Sequence, residues 1–182
     1  EERFAVHRGK CLSYGEGITY WPIVEIFKSA AGILQSDDRD ASAEKLDSFL
    51  ETLATDDLDE LRTIASALSN LIGIPTTPRG TYVTSEISQA ELHWGIRRLL
   101  ELLALERPLV LVFEDLHWAE PTLFDLIDFV AEGTGPILVV GSARRELRDL
   151  RPAYCTDGGN RVAIDLAALG EVESEALLTE LL

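Results

Sequence analysis

The stretch Leu109-Val110-Leu111-Val112-Phe113-Glu114-Asp115-Leu116-His117-Trp118-Ala119-Glu120-Pro121 decides the fold of this chain. Leu109 to Phe113 are apolar without alternation. A run of that length with β-branched members suits a strand covered on both faces, as in a parallel sheet flanked by helices. Glu114 and Asp115 then fall at the carboxyl end of the strand, the edge where open α/β sheets bind ligands. Two carboxylates there can hold Mg²⁺ through its waters and polarise an attacking water, as acids do in nucleotide hydrolysis. They can equally be acids favoured at the N-terminal end of the next helix. Pro121 stands near the first position of that helix, where proline is tolerated.

Downstream, Leu123, Leu126, Ile127 and Val130 give the helix an apolar stripe, and Gly135-Pro136 turns the chain. Ile137 to Val140 is a second fully apolar strand, followed by the small residues Gly141, Ser142 and Ala143 and then Arg144. An arginine past a strand end can clamp phosphate oxygens with its planar fork. Arg145 and Arg148 compete for that role, and all of these arginines can instead neutralise Glu146 and Asp149. Residues 161–166 alternate and read as a last strand, and residues 171–182 carry apolar residues at helical spacing.

Upstream, Ser88 and Glu91 form a capping box for a helix whose inner face is Leu92, Ile96, Leu99, Leu100 and Leu103. On its outer face Arg97 and Glu101 can pair across one turn. Arg98 is either a phosphate contact or a solvated helix arginine. Asp57, with Glu60 as capping partner, starts a helix that Gly73 and Pro75 stop. Residues 36–42 read as a polar loop and residues 75–87 as a loop rich in Thr, Pro and Gly. Phe4 to Val6 make a short strand that His7-Arg8-Gly9-Lys10 closes. The Gly15-Glu16-Gly17 turn releases the chain into a helix from about Pro22. Tyr20 and Trp21 serve either as a substrate platform or as core aromatics pinning the start of that helix.

The string from Leu109 to Pro121 resembles the Walker B region of STAND-type P-loop ATPases. These are the AAA-like modules of large signalling proteins, found in LuxR-type transcription regulators and beside class III adenylyl cyclase domains. The segment Arg8-Gly9-Lys10-Cys11-Leu12-Ser13-Tyr14-Gly15-Glu16-Gly17-Ile18-Thr19-Tyr20-Trp21-Pro22 is similar to the part of that module after its first helix. Ile96-Arg97-Arg98-Leu99-Leu100-Glu101 looks like its helix before Walker B, and Gly141-Ser142-Ala143-Arg144 like the end of its sensor strand. The resemblance implies a three-layer α/β fold with a mainly parallel sheet of P-loop NTPase type. No G-x-x-x-x-G-K-[ST] string occurs, and Gly9-Lys10-Cys11 is not one. The expectation is therefore an interior piece of a longer protein, cut after the P-loop. It lacks the first strand, which would lie between those containing Ile137–Val140 and Arg161–Leu166. Residues 1–168 would be the Walker B and sensor part, and 169–182 the start of a helical lid. Such a sheet should show a gap or an open edge, so the isolated chain should be poorly stable or associate with itself.

The resemblance implies ATP and Mg²⁺ as cofactors and ATP hydrolysis in the intact parent, with this piece inactive alone. Glu114 would be the acid on the Mg²⁺ side, acting through water, and Asp115 would orient or activate the attacking water. Ser142 and Arg144 would sense the γ-phosphate. His117 and Trp118 would tie the Walker B turn to its neighbours, with His117 relaying the nucleotide state. The partners implied are the upstream P-loop and other domains of the parent. Two other functions fit the residues. One is a nucleotide-free module that serves as a protein-interaction scaffold. The other is a Mg²⁺-dependent phosphohydrolase, which would need further acids at other strand ends, and Gly141-Ser142 offers none.

The chain has 182 residues, 46% of them apolar, enough for one domain with a sizeable core. Its net charge is −16, and residues 37–60 hold ten acids against Arg39 and Lys45. That balance opposes direct nucleic-acid contact by this piece. Cys11 and Cys155 lie far apart, outside any metal-type spacing. With no apolar run of membrane-spanning length and no signal peptide, they fit a cytoplasmic chain.

Overall fold

The computed structural model describes residues 3–13, 19–78 and 86–181, so the expected Gly15-Glu16-Gly17 turn and residues 79–85 of the long loop lie outside the described residues. The chain divides into two compact units, residues 1–144 and 145–182.

In the first unit, β1 (Ala5–Lys10), β2 (Leu109–Glu114) and β3 (Ile137–Gly141) form a parallel sheet in the order β1-β2-β3. Val6 lies opposite Val110 and Lys10 opposite Glu114, while Leu109 faces Ile137 and Phe113 faces Gly141. Between β1 and β2 come α1 (Trp21–Ala30), α2 (Arg39–Glu51), α3 (Leu58–Ile72) and α4 (Gln89–Glu106). A single 3₁₀ turn, Leu116–Trp118, and α5 (Pro121–Ala131) connect β2 to β3. This is the α/β architecture of an incomplete P-loop NTPase-type fold.

The helices form where local chemistry permits. Ser88 and Glu91 make the expected reciprocal capping box on α4. On α3 the Asp57 carboxylate accepts from the N–H groups of Asp59 and Glu60, and Gly73 ends the helix at φ 73°. Glu60 itself is engaged by Thr55 and Arg98. The polar stretch 36–42 is a loop only up to Asp38, whose side chain caps α2 through the Ala41 N–H. The helix α1 stops at Ala30, and Leu34 beyond its end is exposed. The core is built from Ile23, Ile26 and Phe27 of α1, Leu61, Ile64 and Leu68 of α3, and Ile96, Leu99 and Leu100 of α4. It continues through Leu111, Phe113, Leu123, Phe124 and Leu126. Helices α3 and α4 approach closely at Gly95, where a β-carbon would stand 2.8 Å from the Ala67 β-carbon.

The expected double-sided burial of β2 is not found. Leu109, Leu111 and Phe113 are buried, whereas Val110, Val112 and Glu114 are half-exposed. The reason is topological. Both crossovers step the same way across the sheet, and crossovers of one hand that step the same way lay their helices on the same face. Covering the other face takes a strand added in the reverse direction, and the described residues hold none. The uncovered face carries Val6, Leu138 and Val140, 42–59% exposed.

In the second unit, α6 (Leu147–Leu150) leads to a 3₁₀ turn at Pro152–Cys155, and α7 (Glu171–Leu181) closes the chain. The strand expected at residues 161–166 does not form. Only an isolated antiparallel bridge, Gly158 to Arg161, is present there. A strand must pair its backbone groups, and the neighbour expected beside it is a strand absent from the described residues. The Ala163 N–H turns instead to the Asp157 carboxylate at 2.7 Å, and Val162, Ile164 and Leu166 point into solvent.

Candidate functional site

The carboxyl edge of the sheet collects the residues that the sequence singles out. Glu114 is the last residue of β2, and Asp115 begins the turn that follows. Asp115 has φ 57° and ψ 40°. Among the described residues it is the one non-glycine in the left-handed region. Aspartate tolerates that conformation better than most side chains, yet it remains strained. The strain turns the chain abruptly out of the strand and keeps both carboxylates at the edge.

Each acid has a cation from the neighbouring strand. Arg8 Nη1 stands 3.6 Å from Glu114 Oε1, and Lys10 Nζ 3.1 Å from Asp115 Oδ2. All four side chains are about 38–70% exposed, so these pairs contribute little to the stability of the fold. Sequence reasoning missed this role for Arg8 and Lys10. The signal was their spacing of two on a strand, which puts them on one face, but their partners appear only once β1 is in register with β2. The end of β1 is itself fixed. The Lys10 N–H donates to Glu25 Oε2 on α1 at 2.7 Å, and the Cys11 N–H to the Glu114 carbonyl at 2.9 Å. Burial, helped by Asp115 and Glu25, pushes the Cys11 thiol up to about 12. Cys11 is thus a buried, unreactive thiol.

The end of β3 is stitched to the acidic turn. The Ser142 N–H donates to the Phe113 carbonyl and the Leu116 N–H to the Ser142 carbonyl, both at 2.9 Å. The Arg144 N–H donates to His117 Nδ1 at 3.4 Å. His117 Nδ1 is also 4.0 Å from Asp115 Oδ1, and the ring packs on Trp118 with centroids 5.0 Å apart. Glu114, Asp115, His117, Ser142 and Arg144 therefore share one edge, with Arg144 exposed.

Other expected positions lie elsewhere. Arg98 is tied to Glu60 and Glu101, which removes it as a phosphate contact. Arg97 pairs with Glu101 at 2.9 Å and stacks on Phe129. Arg148, in the second unit, pairs with Asp165, not with Glu146 or Asp149. Tyr20 hydrogen-bonds His93 Nε2 at 2.8 Å across a T-shaped contact, as a helix-anchoring aromatic would, while Trp21 is 36% exposed.

Among the described residues no three His, Cys, Asp or Glu side chains come together as a metal site, and no helix is long and apolar enough to cross a membrane. One or two carboxylates with water and substrate phosphates are nevertheless a normal way to hold Mg²⁺, and Glu114 and Asp115 at the sheet edge fit it. No curated protein and no solved structure matches the chain. A family profile does: that of the AAA ATPase domain, over residues 1–140.

Proposed function

Because the chain belongs to the AAA ATPase domain family, we propose that it supplies the Walker B acids and the sensor of an ATP-hydrolysing regulatory switch. On this reading the module is of STAND type and serves a larger signalling or transcription-regulator protein. The family implies nucleotide binding, typically with Mg²⁺. The observation that carries the finer reading is the meeting of Glu114, Asp115, Ser142 and Arg144 at one sheet edge.

The roles follow from position. Glu114 and Asp115 would hold Mg²⁺, largely through water, and the ion would neutralise charge on the phosphate oxygens. Asp115 presents a carboxylate able to accept a hydrogen bond from the attacking water and orient it. Arg144 supplies a fork for phosphate oxygens, with Ser142 beside it. Lys10 and Arg8 balance the two acids before the ligand arrives. Catalysis of this kind is positioning plus electrostatics. The phosphate cradle has to come from a P-loop, which the 182 residues do not contain. The partner of this site is therefore a P-loop elsewhere in the parent chain.

Calorimetry with Mg-ATP tests this on the present chain and on a longer version carrying a G-x-x-x-x-G-K-[ST] string. The reading expects binding by the longer form only. Absence of binding by both would favour a nucleotide-free interaction scaffold. In the binding form, Asp115→Asn keeps a residue tolerant of φ 57°. It should preserve Mg-ATP affinity and slow turnover by roughly a hundredfold or more, the scale of losing a positioned general base. Unchanged turnover would remove Asp115 from the mechanism.

A further inference from the structure

Three hydrogen bonds join the end of β3 to the turn of Asp115, and they differ in kind. Ser142 N–H to Phe113 O and Leu116 N–H to Ser142 O run from backbone to backbone, so any sequence can make them. The third, Arg144 N–H to His117 Nδ1, needs a side-chain acceptor at position 117. The His117 side chain is only 6% exposed. Accepting from an amide requires a bare Nδ1, which places the ring proton on Nε2. Yet Nε2 is buried and has no hydrogen-bond partner among the described residues. A buried donor left unpaired is costly. The ring keeps its place despite that cost, so its orientation is set by Nδ1 and by the Trp118 ring packed against it.

We propose that His117 is a positioning residue: its Nδ1 is the acceptor that fixes Arg144 relative to Asp115, so that acid and arginine move as one piece. This rests on the reading of the edge as a nucleotide site, and it deepens that reading by naming what couples its two halves. The backbone stitches at Ser142 end two residues short of Arg144. Among the described residues no other hydrogen bond ties the chain beyond Ser142 to the acidic turn, so without the third bond the arginine would sample many positions relative to Asp115.

Substitutions separate the two ring nitrogens. In His117→Asn the side-chain oxygen lies one bond from Cγ, as Nδ1 does. In His117→Gln the polar atoms lie one bond further, as Nε2 does. Amide hydrogen exchange at Arg144 is the direct readout. His117→Gln and His117→Ala should speed it roughly tenfold, the ratio that the net strength of one hydrogen bond sets, whereas His117→Asn should stay near the parent rate. Equal protection in all four proteins would overturn the proposal. So would ¹⁵N shifts placing the His117 proton on Nδ1 in the unsubstituted chain, a measurement that needs no variant to fold. In a form that binds Mg-ATP, His117→Ala and His117→Gln should lower kcat with Kd unchanged, and His117→Asn should restore kcat. If no form binds Mg-ATP, the nucleotide reading fails, while the exchange rates still decide whether His117 holds Arg144.

Discussion

At the scale of single residues, the candidate site depends on places where the backbone has no room for alternatives. Gly9 is one. A β-carbon there would fall well inside van der Waals contact of the Pro22 carbonyl, because the first turn of α1 crosses directly over β1. The obstacle is backbone, which cannot rotate away. Gly9→Ala should therefore destabilise the protein by about 1–3 kcal/mol, the range for overpacking a close contact, and chemical denaturation would show it. Wild-type stability in that variant would mean that α1 is not seated on β1. The same contact sets the site, since Lys10 follows Gly9 and its N–H is anchored by Glu25 of α1. Asp115 is the complementary case, a non-glycine in left-handed backbone beside the candidate chemistry. Nothing in its neighbours along the sequence announces that conformation, because it comes from the demand that β2 end abruptly while its acids stay at the edge.

At the scale of elements, α1 and α4 meet through a pair that makes stability depend on pH. His93 on α4 is buried and bonded to Tyr20 at the start of α1. Burial lowers its pKa from the ordinary 6.5, and Asp125 opposes this only in part. His7 on β1 is lowered in the same way by burial and then by Arg107. Between those lowered values and 6.5 the unfolded chain binds more protons than the folded one, so stability rises with pH in that window. It is complete above the unfolded pKa and is lost as the pH falls from there through the lowered folded values. The Tm should drop from about pH 7.5 to about pH 5.5, within the range where histidine alone titrates unperturbed. His93→Gln should flatten the drop, and a flat wild-type profile would contradict the burial of His93. Elements of this kind were legible in the sequence where their signals are local. The box Ser88–Glu91 and the strand β2 rest on adjacent residues and both form, whereas Asp57 caps α3 without the reciprocal bond expected from Glu60, whose carboxylate turns to Thr55 and Arg98. The pairing of Arg8 with Glu114 and Lys10 with Asp115 was not legible, because it depends on a register between strands about a hundred residues apart. The lost strand at residues 161–166 has the same cause in reverse: alternation is local, but pairing requires a neighbour.

At the scale of the whole molecule, the sheet ends with one face served and one bare. Parallel sheets are normally covered on both faces, and here Val6, Leu138 and Val140 face solvent on one side. The net charge of −16 opposes association at long range, but over about 10 Å salt at 0.1 M screens it, and apolar contact then decides. Self-association should therefore increase with ionic strength, the reverse of what a contact built on ion pairs would do. The double variant Leu138→Thr, Val140→Thr keeps strand-favouring residues on β3 while removing apolar surface. Neither side chain is buried, so the fold should survive the change, with the far-ultraviolet dichroism intact. Sedimentation should shift towards the monomer, and the binding of an apolar dye should fall. If the variant associates as strongly as the parent at every salt concentration, the bare face is not what draws copies together.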